Sequence, residues 1–219
     1  MNYIIGCGGV GSFLAPTLIM LVGRDNITLI DGDTLETKNL NRQLFEEKHI
    51  GSFKSDSLAY RYGCHSIPEW YSESLMTHGP DDWLIGAVDN HIARRSILSS
   101  ADRFNCKVIL AANEVYSSEA YVYMPAWKET RLDPRIMYPE IATDHSNDPR
   151  SESIGCTGES QIANVQLVTA NLMAAALASH LYVVWAMEAP KMDAEVIQHL
   201  PHKLVQNLSK NETHKVGKI

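Results

Sequence analysis

Asp31, Asp33, Asn39, Arg42 and Lys54 crowd two carboxylates, an amide and two cations into one short stretch. That stretch follows a glycine run, Ile5-Gly6-Cys7-Gly8-Gly9-Val10-Gly11. The residue types suit attack on a phosphoanhydride, where charge on a departing pyrophosphate must be neutralised. Arginine grips phosphate oxygens in pairs and lysine supplies a mobile point charge. A hydride-transfer site has little use for two cations beside the phosphates. Gly6, Gly8 and Gly11 have the G-x-G-x-x-G spacing, with Gly9 between them. Such glycines let the main chain turn tightly and let phosphate oxygens approach it closely. Asp31 stands about 20 residues on, where an acid at the end of a second strand bonds a ribose hydroxyl. The glycine run taken alone is equally compatible with a tight turn or a nicotinamide dehydrogenase.

Two further residues belong with this set. Asp89 follows an apolar run, Trp83–Val88, and ligands of open parallel sheets gather at such strand ends. The competing role is to cap the next helix, His91–Asn105. Cys156 lies just ahead of another helix, where a thiol becomes easier to ionise and can act as a nucleophile. An inert thiol is the equal alternative there. Cys7, between the glycines, reads as packing. His65, His78, His145 and His180 show no ligand spacing.

The elements that must position these groups alternate strand and helix. Asn2–Ile5 reads as a buried parallel strand running straight into the glycines. Val10–Val22 has a helical pattern, and its free N–H groups would face the phosphates. Pro16 inside it predicts a bend or a late start. Asn26–Ile30 is a second strand. Gly51–Gly63 reads as a helix with Ser52 as N-cap and Gly63 as its stop, and Lys54 in the first turn opposes the helix dipole. A bound phosphate would remove that conflict. Ser66–Ser72, Trp83–Val88, Lys107–Ala112 and Glu119–Met124 complete the strands. Pro125–Gly158 has lost periodicity and reads as a long loop. Ser160–Ser179 is a helix capped by Ser160, with Ile162, Val165, Val168, Leu172 and Ala176 as its core stripe. Met192–Leu200 is open between strand and helix, and Pro201–Ile219 reads as a flexible polar tail.

These runs carry a resemblance. Gly6–Gly11, Asp31-x-Asp33, Asn39-Leu40-Asn41-Arg42-Gln43, Ile50-Gly51 and Lys54, followed by Ala87-Val88-Asp89-Asn90 and Ala93-Arg94, resemble the ThiF/MoeB/HesA family. That family includes the adenylating half of ubiquitin-activating enzymes. The similarity covers about residues 1–180, and its specific part is the Asn39–Gln43 motif. It implies an α/β, Rossmann-like, mostly parallel sheet with helices on both faces, as one adenylation domain over 1–200. It implies ATP and Mg²⁺ as cofactors, with Asp31 on the ribose, Arg42, Lys54 and Asn39 at the triphosphate, and Asp89 on Mg²⁺. Cys156 falls where the family keeps its reactive cysteine, and the 125–158 loop where it keeps a crossover loop over the partner's tail. A small ubiquitin-like or sulfur-carrier protein is the implied partner, and a homodimer the implied assembly. Paired zinc cysteines are missing from this sequence. So is an arginine ahead of Gly6 that larger members direct at the partner subunit's ATP, for which Arg24 and Arg94 are the candidate substitutes.

Composition narrows the alternatives. A chain of 219 residues, 45% of them apolar, is long enough for one ordinary core. A net charge of -7 argues against nonspecific binding to nucleic acid or to a membrane surface. The run Leu167–Met187 is interrupted by Asn171, Ser179 and His180 and reads as core. Four scattered cysteines and no recognisable secretory leader give the expectation of reduced thiols in the cytoplasm. The expected function is therefore ATP-dependent adenylation of a carrier protein's C-terminal carboxylate. A non-catalytic binding partner, a nicotinamide oxidoreductase and an activator of small-molecule or tRNA-linked carboxylates are the competitors.

Overall fold

Strand β1, Asn2–Ile5, is buried along its whole length and lies inside one seven-stranded sheet, third from one edge. A strand covered on both faces must be apolar throughout, so it shows no alternation. The computed structural model describes residues 1–114, 117–144 and 168–207. From β1 the chain passes through α1 (Gly9–Val22) to β2 (Ile27–Ile30), then α2 (Lys54–Tyr62) and β3 (His65–Ile67). It returns to the other side of β1 as β4 (Trp83–Gly86), followed by α3 (His91–Phe104), β5 (Lys107–Asn113) and β6 (Ser117–Tyr123). Short helices α4 (Pro134–Met137) and α5 (Pro139–Thr143) come next. After them stand α6 (Val168–Tyr182), α7 (Ala194–Ile197) and β7 (Lys203–Asn207). The order is β3-β2-β1-β4-β5-β6-β7. β1 to β5 are parallel, and β6 and β7 antiparallel. This is the α/β, Rossmann-like architecture expected. The strand order reverses between β1 and β4, which opens a crevice at their carboxyl ends.

Each face of the sheet has its own core. On one, Leu14, Leu18, Leu58, Ala174 and Ala178 of α1, α2 and α6 meet Ile4, Leu29, Ile85 and Ile109. On the other, Ile97, Leu98 and Ala101 of α3 and Ile141 of α5 meet Ile5, Ile30, Leu84 and Leu110.

Several expectations are corrected. Helix α1 starts at Gly9, not late, and runs through Pro16 unbroken. The proline costs about 3 kcal/mol. Burying Leu14 and Leu18 on the same helix, at about 1.5–3 kcal/mol each, offsets it. The cap of α2 is Phe53, not Ser52. An antiparallel bridge between Thr34 and Phe53 keeps the chain extended past Ser52, whose carbonyl accepts the Leu35 N–H at 2.9 Å. Gly63 does end that helix, in the left-handed conformation at φ 71°. β3 is shorter and earlier than Ser66–Ser72.

The first part of the expected crossover loop is structured. Pro134 and Pro139 open α4 and α5, where a missing N–H costs nothing. Residues 145–158 of that loop, with Cys156 and the cap Ser160, lie outside the described residues. On α6 the expected core stripe faces outward: Val168 is 45% exposed and Leu172 53%. The buried face carries instead Ala170, Asn171, Ala174, Ala175, Ala178 and Ser179, small residues that let the helix lie close to β5 and β6, followed by Leu181 and Tyr182. The helical run Val168–Lys191 is long and apolar enough to cross a membrane by length and composition. Here it packs on the sheet. The tail expected from Pro201 also begins too early, because Lys203–Asn207 pairs with β6 as the edge strand.

Candidate active site

The glycine loop leaves β1 at its carboxyl end. Gly6 has φ 90°, and a Cβ there would stand 2.5 Å from the Ala87 carbonyl oxygen. A Cβ on Gly11 would stand 1.9 Å from the Gly6 carbonyl oxygen. On Gly9 it would meet the side-chain amide of Asn171 at 2.6 Å. These three glycines are therefore required by packing of the chain on itself. Gly8 alone faces open space, its nearest neighbour being Gln43 Nε2 at 3.8 Å. Behind the loop, the first N–H groups of α1 have no carbonyl within the helix to bond. Of the four glycines expected to touch a nucleotide, the room beside the chain is at Gly8.

Asp31 braces this loop. Its Oδ2 accepts the Cys7 N–H at 2.6 Å and its Oδ1 the Asp33 N–H at 2.8 Å. Burial pushes its carboxyl pKa up, and the two N–H bonds work against that rise. Ser55 Oγ donates to the Asp31 carbonyl at 2.9 Å, which ties α2 to the end of β2. A carboxylate has further lone pairs, so the same group can still accept a ribose hydroxyl.

Lys54, expected at the triphosphate, already has a partner in the chain. Its side chain is 7% exposed and its Nζ pairs with Asp33 Oδ2, whose side chain is 42% exposed. The Asp33 carbonyl also accepts the Lys54 N–H at 2.9 Å. The conflict between Lys54 and the dipole of α2 is thus met by a carboxylate of the chain itself. Asn39, also expected beside the phosphates, has its Oδ1 bound to the Glu36 N–H at 2.9 Å. Its carbonyl accepts the N–H groups of Arg42 and Gln43 at 3.2 and 3.0 Å. Asn39 shapes the loop that carries Arg42. Gln43 is buried against Gly8, and its Oε1 has no hydrogen-bond partner among the described residues.

Arg42 lies within electrostatic reach of Asp89. Burial lowers the Arg42 guanidinium pKa, and the negative charge of Asp89 works against that. Asp89 is exposed beyond β4. It is not the cap of α3: Asn90 is, with its Oδ1 accepting the Ala93 N–H at 2.8 Å. Arg94 is buried and props the end of β4 by donating to the Val88 carbonyl at 3.2 Å. Arg24 lies beside Gly63, at the amino edge of the sheet and away from the crevice. Among the described residues no group of three or more His, Cys, Asp or Glu could hold a metal ion. Asp89 is an exposed carboxylate just beyond the carboxyl end of β4. Cys7 is fully buried and burial raises its thiol pKa well above the ordinary value, as expected of packing. The expected nucleophile Cys156 lies outside the described residues.

Two residues of the site were missed. Ser12 Oγ accepts the Leu44 N–H at 3.0 Å, and Asn171 Nδ2 donates to the Arg42 carbonyl at 3.0 Å. Asn171 did carry a signal, as an amide inside the alanine-rich run of α6.

A model of the family described as the ThiF family matches residues 2–197. Among curated proteins, the chain is 33% identical over 108 residues to "SUMO-activating enzyme subunit 2" of Dictyostelium discoideum, covering 43% of this chain and 16% of that protein. It is 34% identical over 102 residues to "Adenylyltransferase and sulfurtransferase uba4" of Neosartorya fischeri, covering 45% of this chain and 20% of that protein. The matched stretch thus spans a fifth or less of these relatives. Among solved structures, E. coli MccB with ATP superposes with a TM-score of 0.56 at 19% identity, over 82% of this chain and 53% of that one. E. coli tRNA N6-threonylcarbamoyladenosine dehydratase, TcdA, gives 0.60 at 17% identity, over 87% of each chain.

Proposed function

We propose, from the premise that this chain belongs to the ThiF family, that it is an ATP-dependent adenylyltransferase. Its substrate would be the C-terminal carboxylate of a small ubiquitin-like or sulfur-carrier protein. One carboxylate oxygen attacks the α-phosphorus of ATP. A carbonyl–oxygen–phosphorus bond forms, the bond to the β-phosphate bridge breaks, and pyrophosphate leaves with the electron pair. No general base is required, because a carboxylate is already an anion at neutral pH. Asp31 would hold the ribose and Gly8 would admit the phosphates. Arg42, with Lys54 released from or shared with Asp33, would neutralise charge on the triphosphate. Mg²⁺ suits a site with few exposed carboxylates, since it binds through one or two carboxylates plus substrate phosphates and water. Asp89 would be its protein ligand, and the ion would supply further charge neutralisation.

The observation that carries this reading is the meeting of Asp31, the Asp33–Lys54 pair and Arg42 with Asp89 around the glycine loop. A nicotinamide site has no need of the second and third. We extend the proposal to transfer of the acyl group onto the Cys156 thiol with release of AMP, to a homodimer that uses the outward apolar residues of α6, and to a cytoplasmic location. The test is ATP–pyrophosphate exchange with Mg²⁺ and carrier proteins ending in Gly-Gly. Calorimetry that found tight nicotinamide binding and no ATP binding would sink the reading. On a non-reducing gel, a thiol-sensitive conjugate lost in Cys156→Ala supports the transfer step. An equal conjugate in both lanes rejects Cys156. A monomeric mass by light scattering rejects the dimer.

A further inference from the structure

We infer that Asn171 is a positioning residue for Arg42, clamping the arginine's main chain to helix α6. This inference rests on the adenylation reading for the meaning of Arg42, but not for the clamp itself. Asn171 is completely buried. Its nearest buried neighbours on the helix are Ala170, Ala174, Ala175 and Ala178, with Ser179, Leu181 and Tyr182 further along. An alanine would pack there equally well, so packing alone does not call for an amide. Its Nδ2 crosses 129 positions of sequence to bond the Arg42 carbonyl at 3.0 Å. The Arg42 N–H is bonded at the same time to the Asn39 carbonyl. Both ends of this residue's main chain are therefore held, and only the side chain is left to reach the crevice. Two residues on, Ser12 of α1 holds the Leu44 N–H. The turn of α6 that carries Asn171 is itself anchored, because Ser118 Oγ of β6 donates to the Ala170 carbonyl at 2.9 Å.

Two observations separate this arrangement from an ordinary core amide. First, Gly9 lacks a side chain where any Cβ would strike all three atoms of the Asn171 amide group within 2.7 Å. A position inside the glycine motif is thus given over to this contact. Second, Asn171 Oδ1 is buried without a hydrogen-bond partner among the described residues. Leaving a buried acceptor unmatched is costly, so the amide is retained for what its Nδ2 does. The consequence is geometric. Catalytic cations act only when held in place before the charge develops, and small displacements are expensive. Asn171 sets where the guanidinium of Arg42 starts from.

The test uses the full chain with Asn171→Leu, which keeps the size and removes the donor, and Asn171→Ala as a second variant. Calorimetry compares ATP with AMP, which lacks the outer phosphates. Both variants should weaken ATP by roughly three- to tenfold and leave AMP unchanged. In an Arg42→Ala background the same substitutions should weaken ATP no further, since Asn171 acts through Arg42. Equal losses for ATP and AMP, or an undiminished loss in the Arg42→Ala background, overturn the inference. If the wild type binds no ATP, the adenylation reading fails by itself and hydrogen exchange decides the clamp. Faster exchange of the Arg42–Leu44 amides, with β1 and β4 unchanged, supports it. Unchanged exchange in that segment overturns it.

Discussion

Arg42 and Arg135 are both partly buried arginines in one small fold, and their surroundings could hardly differ more. Arg135, at the start of α4, has a use for each side of its guanidinium. Nε meets Asp133 Oδ1 and Nη1 meets Asp102 Oδ2, both at 2.8 Å, while Nη2 reaches the Tyr123 hydroxyl at 2.7 Å. These partners outweigh burial and raise its pKa further. Around Arg42 the balance is reversed. Burial outweighs the help of Asp89, and the pKa is lowered. Beside it Gln43 Oε1 and Asn171 Oδ1 are buried with no partner among the described residues. A network whose charges are answered within the chain holds the chain together. A cation whose pKa burial has lowered, beside an exposed carboxylate at a strand end, is suited to a binding site.

The largest effect that would break this contrast is on stability. Arg135→Ala takes the guanidinium from Asp133, with a side chain 2% exposed, and from Asp102, 14% exposed, which keeps Lys128 at 3.3 Å. The expected loss is about 3–5 kcal/mol by urea unfolding, with the nucleotide affinity of the folded fraction unchanged. If Arg135→Ala instead unfolds like the wild type, the assignment of that network to stability is wrong. Arg42→Ala should do the opposite. Pyrophosphate exchange should fall by about 10²–10³-fold while the unfolding midpoint barely moves. A shift in that midpoint as large as that of Arg135→Ala would erase the distinction.

The glycines sharpen the comparison one step further down in size. Gly8→Ala adds a methyl group that meets no atom closer than Gln43 Nε2 at 3.8 Å. It should cost the fold no more than about 1 kcal/mol as a poorer helix cap, yet weaken ATP binding in calorimetry. Gly11→Ala drives a methyl group into the Gly6 carbonyl and should lower the melting temperature more than Gly8→Ala does. Equal melting temperatures for the two variants would count against the division of the motif.

The fold and the motif residues were legible to different depths. Strands β1, β2 and β4 announced themselves because burial on both faces demands unbroken apolar runs. Asp31 and Asp89 were legible because strand ends are where such sheets bind. Less visible was what the chain does with its own polar groups. Lys54 is claimed by Asp33, and Asn39 by the Glu36 N–H, through contacts that depend on how the 31–54 loop closes. Asn171 belongs to the site only because α6 packs on α1, and that was hidden by the wrong choice of stripe on α6. Val168 and Leu172 look like core by hydrophobicity. The close approach to the sheet instead selects the alanines. β7 was missed because Lys203 and Gln206 make it polar, as an edge strand can be.

The smallest expected effect concerns acid. Asp102 and Asp133 are held below the ordinary carboxyl value of 3.8, with Arg135 opposing the effect of burial in both. A carboxyl whose folded pKa is depressed stabilises the fold above its unfolded value, and that stability is lost as pH falls through the folded value. The wild type should therefore lose stability as pH drops from about 4 downwards. Asp31 works in the other direction. Its folded pKa is raised by burial, so its unfavourable contribution appears as pH rises through 3.8 and is complete above the raised value. Two carboxyls oppose one, and the net slope below pH 4 should follow the Arg135 network. Arg135→Met removes the cation that opposes burial in both, leaving Tyr123 and Lys128 at Asp102 and the Glu129 and Arg135 main-chain N–H groups at Asp133. Its stability should then rise less steeply than that of the wild type as pH increases from about 3 to 6. Urea unfolding of wild type and Arg135→Met across that range decides the matter. Parallel pH profiles would show that Arg135 does not set the charge of Asp102 and Asp133, and the contrast with Arg42 would lose its electrostatic basis.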